Sequence, residues 1–275
     1  MKIASYNING IRASARLGLL DWIRTGEIDV FCLQEIRANE SIARSIFSDD
    51  TQLSLFSDPI ADAPASTDGY YKYYNCGKIA GYAGTMILSK IQPDRVEYDM
   101  GEIWSDDEGR VTTAFFGDLA VVNAYIPNGN SRLDFKMQFL AGLTAYLAKL
   151  KEAYSVVCVG DFNIANDEID LTNPRECRNK SVFLPIERDA FKKILSLGYV
   201  DSFRYLYPDK VEYSWRSYRS RQVSLPSTNY NAWKYRIDYA IVYNKANYAI
   251  RECTMPDLAY SDHLPVVLTI EKEQA

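Results

Sequence analysis

Residues 28–35 read Ile28-Asp29-Val30-Phe31-Cys32-Leu33-Gln34-Glu35, an almost unbroken apolar run that ends in an amide and a carboxylate. A continuous apolar run of this length is the mark of a strand buried on both faces, because an edge or surface strand would alternate. Upstream, Lys2–Tyr6 reads as another strand, followed by a turn at Gly10 and a helical stretch around Leu17, Leu20 and Ile23. The chain therefore opens strand–helix–strand.

Working outward, strands are expected at Tyr70–Cys76, Thr85–Ser89, Val111–Phe116, Leu119–Ala124, Val156–Val159, Ile237–Tyr243, Ala249–Cys253 and Val266–Ile270. Phe116-Gly117-Asp118 has the form of a hairpin turn. The clearest helix runs from Leu133 to Leu150, with Leu or Met recurring every three or four residues and Ser131 where an N-cap belongs. A second helix covers about Ile186–Leu197 and stops at Gly198. Hairpins and crossovers occur together, and no repeat or low-complexity linker interrupts them. This predicts one mixed α/β domain over residues 1–275, its sheets covered by helices.

Composition narrows the class. The 275 residues are 47% hydrophobic and 24% charged, which excludes collagen-like and disordered chains. No apolar run approaches the ~20 residues of a membrane span. The first seven residues turn polar at once, so no signal peptide is expected and a cytoplasmic location is. Five cysteines, Cys32, Cys76, Cys158, Cys177 and Cys253, form no Cys-x-x-Cys pair, so neither a disulfide framework nor a zinc site is expected. His263 is the only histidine. Any imidazole chemistry must use it.

The formal charge of −5 is unevenly spread. Phe47–Asp68 holds five Asp and no Lys or Arg, whereas Phe203–Ile237 holds seven Lys or Arg against two acids, interleaved with nine aromatics. A basic aromatic stretch in an acidic chain suits phosphate and bases. It equally suits a solvated loop that packs its rings on the core, and composition alone does not separate the two.

Several apolar runs end in residues with chemistry: Asn7 and Asn9, Gln34-Glu35, Tyr125, Gly160-Asp161-Phe162-Asn163, and Ser261-Asp262-His263 just before the last strand. Strand ends are where α/β proteins gather their sites. Singly, each is better read as a turn former, helix cap or satisfied core group. Together they form an oxygen-rich set with no Cys, suited to Mg²⁺ or Mn²⁺. Phosphate-loop, dinucleotide, His-Glu-x-x-His and Gly-x-Ser-x-Gly motifs are absent.

These ordered motifs resemble the endonuclease/exonuclease/phosphatase superfamily. Asn9–Ala13, Phe183–Arg188, Gly198–Arg204 and Arg236–Tyr239 are similar to its exonuclease III type apurinic/apyrimidinic endonucleases, almost end to end. The resemblance implies a four-layer α/β sandwich of two packed mixed sheets, and Mg²⁺-dependent (or Mn²⁺-dependent) attack of water on a phosphodiester of duplex DNA by a monomer. By the same resemblance Glu35 binds metal, helped by Asn9 or by water, and Asp262 orients the loop of His263 or contacts a second metal position. Asp161, at the ordinary Asp pKa of ~3.9, orients or deprotonates the water. Asn7 and Asn163 hold that carboxylate and the phosphate, Asp238 fixes the tautomer of His263, and Tyr125 donates to a phosphate oxygen or stabilises the leaving group. Trp215, Tyr235 and Ile237 wall a pocket for a sugar lacking its base, with Arg216 and Arg219 nearby; Arg12, Tyr82, Arg110 and Asn128 match positions that touch DNA.

The chain departs from the pattern in three places. Asn9 stands where some relatives have Asp, Arg37 replaces a Lys, and the acidic stretch 47–68 is long and expected on a face away from DNA. Two other readings share the residues: a phosphatase cousin acting on a non-DNA phosphoester, and a nucleic-acid-binding module that has lost the chemistry.

Overall fold

The structure, a computed structural model, describes residues 1–47, 69–79, 81–105, 107–217 and 233–273. The acidic stretch beyond Phe47, and Arg219, lie outside the described residues. The first half comprises β1 (Lys2–Asn7), α1 (Ile11–Arg16), α2 (Leu19–Thr25), β2 (Val30–Gln34), α3 (Glu40–Phe47), β3 (Tyr71–Asn75) and β4 (Thr85–Ser89). Next come β5 (Arg95–Tyr98), β6 (Val111–Phe116), β7 (Leu119–Tyr125), α4 (Leu133–Leu150) and β8 (Ser155–Asp161). The remainder is α5 (Pro174–Cys177), α6 (Pro185–Ser196), β9 (Val200–Asp201), α7 (Ser202–Leu206), β10 (Trp215–Arg216), β11 (Lys234–Tyr235), β12 (Asp238–Tyr243), β13 (Tyr248–Thr254) and β14 (Val266–Lys272).

Two six-stranded sheets carry the fold, in the orders β13-β14-β1-β2-β4-β3 and β5-β6-β7-β8-β12-β9. Each is antiparallel except for one central parallel pair, β1 with β2 and β7 with β8. Parallel neighbours need a crossover; α1 and α2 supply the first and α4 the second.

Strand periodicity then sorts side chains into layers. Ile3, Val30, Cys32 and Ile87 meet Val121, Val157, Val159, Ala240 and Val242 between the sheets. The alternate residues Ala4, Phe31, Leu33 and Leu88 pack under Ile11, Leu19, Ile23 and Phe47. On the other outer face Val122, Val156, Cys158 and Ile241 pack against Phe139, Leu140, Leu147, Phe191 and Ile194. The result is the expected four-layer sandwich of helices, sheet, sheet and helices. It explains the apolar run 28–33: both faces of β2 are covered, and burying each large aliphatic contributes about 1.5–3 kcal/mol.

Two local expectations are corrected. The helical stretch through Leu17 is broken, because Gly18 adopts φ 109° and separates α1 from α2, leaving Leu17 exposed. A side chain at Gly18 would also crowd the Tyr260 ring. The N-cap position of α4 is Arg132 rather than Ser131, and no side chain caps it. The Phe116-Gly117-Asp118 turn does close the β6–β7 hairpin, with Gly117 at φ 58°. All five cysteines are free. No helix among the described residues is long and apolar enough to cross a membrane.

Candidate active site

The two parallel pairs end at the same rim. Asn7 pairs with Gln34 at the end of β1 and β2, and Tyr125 with Asp161 at the end of β7 and β8. Asp238 opens β12 directly opposite Asp161. Gly160 permits this convergence: at φ 148°, its missing Cβ would lie 1.7 Å from the Ala124 carbonyl oxygen. Between the sheets, Gln34 donates to Asn123 Oδ1 (2.8 Å) and Ser5 Oγ (3.0 Å), and Asn123 donates to the Leu33 and Met86 carbonyls. This buried polar bridge locks the rim.

A cavity of about 450 Å³ opens there, within the range of small-molecule and active-site clefts. Asn7, Asn9, Glu35, Tyr125, Asn128, Asp161, Asn163, Trp215, Tyr235, Ile237, Asp262 and His263 all line it. Of the eight non-glycine residues with positive φ among the described residues, five line this cavity: Asn9, Glu35, Arg37, Asn163 and Val182. Left-handed backbone at such residues costs about 1–3 kcal/mol each and gathers where geometry serves a site.

Asp161 is buried at the cavity floor. Its Oδ2 accepts from Asn7 Nδ2 (2.9 Å) and Asn163 Nδ2 (3.1 Å), and its Oδ1 from the Asn163 amide (2.8 Å). His263 Nδ1 lies 2.8 Å from Asp238 Oδ2, while Nε2 faces Asp161 Oδ2 at 3.9 Å. Asp238 is seated by Ser214, whose hydroxyl oxygen accepts the amides of both Ile237 and Asp238 at 3.0 Å.

Burial, then the charge of Asp238, push the Asp161 carboxyl above the ordinary carboxylate range. The ordinary value expected from sequence is therefore corrected: the group is desolvated, and the imidazole and Asn7 only partly offset that. Burial alone would lower His263; Asp238, with Asp161 and Asp262 behind it, outweighs burial and raises the imidazole to about 10. Burial and the carboxylates Glu35 and Asp161 hold the Tyr125 hydroxyl well above its ordinary pKa, so it remains a donor.

Among the described residues the tightest group of metal-competent side chains is Asp161, Asp238 and His263, with ligand atoms within 4.8 Å. The hydrogen bond from His263 to Asp238 already occupies two of them. The expected set of Glu35, Asn9 and Asp262 offers only oxygen donors and Asn9's amide, as a hard divalent ion requires. Glu35 Oε1 is paired with Arg37, and Asp262 is held by Asn9 Nδ2 (2.9 Å) and Trp215 Nε1 (3.1 Å). A carboxylate whose counter-ion is one partly exposed guanidinium, lining the same cavity as a second carboxylate, fits such an ion.

The expected DNA-contacting residues divide. Trp215 stacks on Tyr235 with ring centroids 4.9 Å apart and planes at 18°, and Ile237 completes that wall. Asn128 is exposed at the cavity and Arg12 is exposed at the start of α1. Tyr82 is 39% exposed. Arg110 is corrected: only 2% exposed, it binds Glu108 Oε2, the Tyr125 carbonyl and the Tyr82 hydroxyl, so it braces two tyrosines and does not present itself to phosphate. Arg216 lies off the cavity, 3.4 Å from Asp257. Sequence reading missed Ser214, Asn123 and the buried pair Lys136–Glu187. Glu187 lies inside the Phe183–Arg188 motif, the one signal that marked it.

The endonuclease/exonuclease/phosphatase family model matches residues 4–263, and the chain belongs to that family. Within it, the chain stands among the nucleases. It is 36% identical over 278 aligned residues to an exodeoxyribonuclease of Bacillus subtilis, covering 98% of this chain and 99% of that protein. It is 34% identical to the DNA repair nuclease APEX1 of Danio rerio, covering 98% and 81%. An AP endonuclease structure from Archaeoglobus fulgidus superposes with TM-score 0.75 at 26% identity, covering 98% and 99%.

Proposed function

We propose that residues 1–275 act as one catalytic domain, a monomeric cytoplasmic DNA-repair nuclease that incises duplex DNA 5′ to abasic sites and trims 3′ ends, with Mg²⁺ as its ion. The observation that carries this is Asp161 held by two amides 3.9 Å from a carboxylate-backed histidine, beside an aromatic wall.

Phosphodiester hydrolysis needs an in-line water and neutralised charge, with no covalent nucleophile. Asp161 accepts the proton of that water; burial and the charge of Asp238 raise its pKa above the ordinary carboxylate range, which makes it a stronger base than a solvated Asp. Asn7 and Asn163 fix which lone pair of Asp161 is available. Asp238 holds His263 with Nδ1–H directed at itself, so Nε2–H donates into the cavity toward a phosphate oxygen. Tyr125, kept protonated, donates a second hydrogen bond. A divalent ion held by Glu35 with Asn9 and Asp262 supplies further charge neutralisation when bound. The Trp215–Tyr235–Ile237 wall favours a sugar without a base, since extrusion costs least where nothing must be unstacked.

The test uses a duplex with one central abasic-site analogue, labelled at each end in turn, with Mg²⁺ and with EDTA. A single metal-dependent cut 5′ to the lesion is expected, and a 3′ ladder measures the exonuclease share. Folded protein inactive with every divalent ion would transfer the assignment to a non-DNA phosphoester.

A further inference from the structure

Lys136 of α4 and Glu187 of α6 are both fully buried and meet at 2.6 Å. Burying an ion pair gives little net stability, and its worth lies in what its remaining contacts order. Here they reach three segments that line the cavity. Lys136 Nζ also donates to the Asn163 carbonyl at 2.8 Å, holding the backbone of a residue at φ 52° whose amide grips Asp161. Glu187 Oε1 additionally accepts from Ser181 Oγ (2.6 Å), and Oε2 from the amides of Val182 (2.9 Å) and Leu184 (3.1 Å). Val182 lines the cavity at φ 97°, a conformation a β-branched residue holds only under constraint. Gly129, between the cavity residues Asn128 and Asn130, lies so close that a Cβ there would stand 2.4 Å from Ser181 Oγ and 2.9 Å from Glu187 Oε1.

We propose that Lys136 and Glu187 are positioning residues: Lys136 seats the Asp161–Asn163 floor, and Glu187 draws the Ser181–Leu184 wall inward to set which sugar the cavity admits. This rests on the nuclease reading above. The two halves separate chemically. In Glu187→Gln one acceptor oxygen becomes an amide donor. The remaining oxygen turns to the Lys136 cation, so Val182 and Leu184 N–H face a donor and the wall is released. In Lys136→Met the floor loses its hold on Asn163 while the wall keeps its acceptors.

The experiment compares kcat and KM on two duplexes, one with an abasic-site analogue and one with an undamaged recessed 3′ end. Wild type first establishes cleavage; its failure would count against the nuclease reading and not against this one. Glu187→Gln is expected to lower the abasic-to-undamaged ratio of kcat/KM by about ten-fold, as a nucleotide that keeps its base gains entry. Lys136→Met is expected to lower kcat on both substrates by about a hundred-fold with KM little changed, the effect of a misplaced reacting group. If Glu187→Gln does not fold, Lys136→Met/Glu187→Leu, which removes every acceptor offered to Val182 and Leu184 and leaves no unpaired charge, carries the same ratio test. Equal losses on both substrates from the Gln substitution overturn the proposal, because a merely structural pair has no reason to distinguish them.

Discussion

His263 Nε2 stands 3.9 Å from Asp161 Oδ2, too far for a hydrogen bond between them and close enough that one oxygen atom can sit within hydrogen-bond reach of both. That separation divides labour between a carboxylate that takes a proton and an imidazole that gives a hydrogen bond. Asp161→Asn and His263→Ala should therefore keep the fold and lower cleavage about a hundred-fold or more, the usual cost of one preorganised group. Cleavage of a labelled abasic duplex, alongside circular dichroism, checks both. Full activity in either purified variant removes that residue from the mechanism.

His263 is the only histidine, so its ring protons give a unique NMR signal. In metal-free protein it should titrate far above the ordinary value, near the 10 to which Asp238 raises it. Asp238→Asn removes that partner and should bring the titration down. The sign for stability follows: folded pKa above unfolded pKa means that the imidazolium's contribution is fully present below about 6.5 and is lost as pH rises toward 10. A wild-type signal that titrates at or below the ordinary value contradicts the Asp238–His263 assignment.

Beneath the aromatic wall, Asp170 receives Arg236 at 2.8 Å and Arg204 at 2.6 Å, with Asp170 and Arg236 both fully buried. Although burial opposes it, the two guanidiniums lower the Asp170 pKa, so this contribution is present above the ordinary carboxylate value and lost as pH falls below it. Asp170→Asn leaves Arg236 with only Asp201 and should destabilise by about 3–5 kcal/mol. Urea titration at neutral pH measures it; a change below ~1 kcal/mol would mean that the network contributes little net stability.

The layers were legible because burial on both faces writes continuous apolar runs, as in 28–33, and the rim was legible because those runs end in Asn7, Glu35 and Asp161. What failed depends on distant partners. Arg110 matches a position that touches DNA, and only the fold brings Glu108 and the Tyr125 carbonyl around it. Lys136 and Glu187 are 51 positions apart and each looks like an ordinary helix-surface charge. Edge strand β5, Arg-Val-Glu-Tyr, has too few apolar residues to announce itself.

Trp215 touches two parts of the site, stacking on Tyr235 and donating to Asp262 Oδ2. Trp215→Ala removes both contacts, and the wall should suffer more than the ion. Abasic-site kcat/KM should fall about ten-fold or more while the ion affinity, read from the Mg²⁺ dependence of Tm, changes less. Equal losses in the two measurements would place Trp215 with the ion-binding set.

Asn9 tests that set from the other side. Its Nδ2 donates to Asp262 Oδ1 at 2.9 Å, so Asn9→Asp exchanges a hydrogen bond for two carboxylates at contact distance, which cannot both ionise without a cation. The φ of 47° is one that Asp tolerates nearly as well as Asn, so the backbone has no cause to move. In EDTA the variant should melt below wild type, losing roughly 1 kcal/mol or more with that hydrogen bond. A divalent ion relieves the repulsion, and ligand binding to the native state raises stability by about 2.7 kcal/mol at a hundred times Kd. The Mg²⁺-induced rise in Tm should therefore be larger in Asn9→Asp than in wild type. A lower Tm with an unchanged Mg²⁺ response would place the ion away from Asn9 and Asp262 and leave Glu35 to hold it without them.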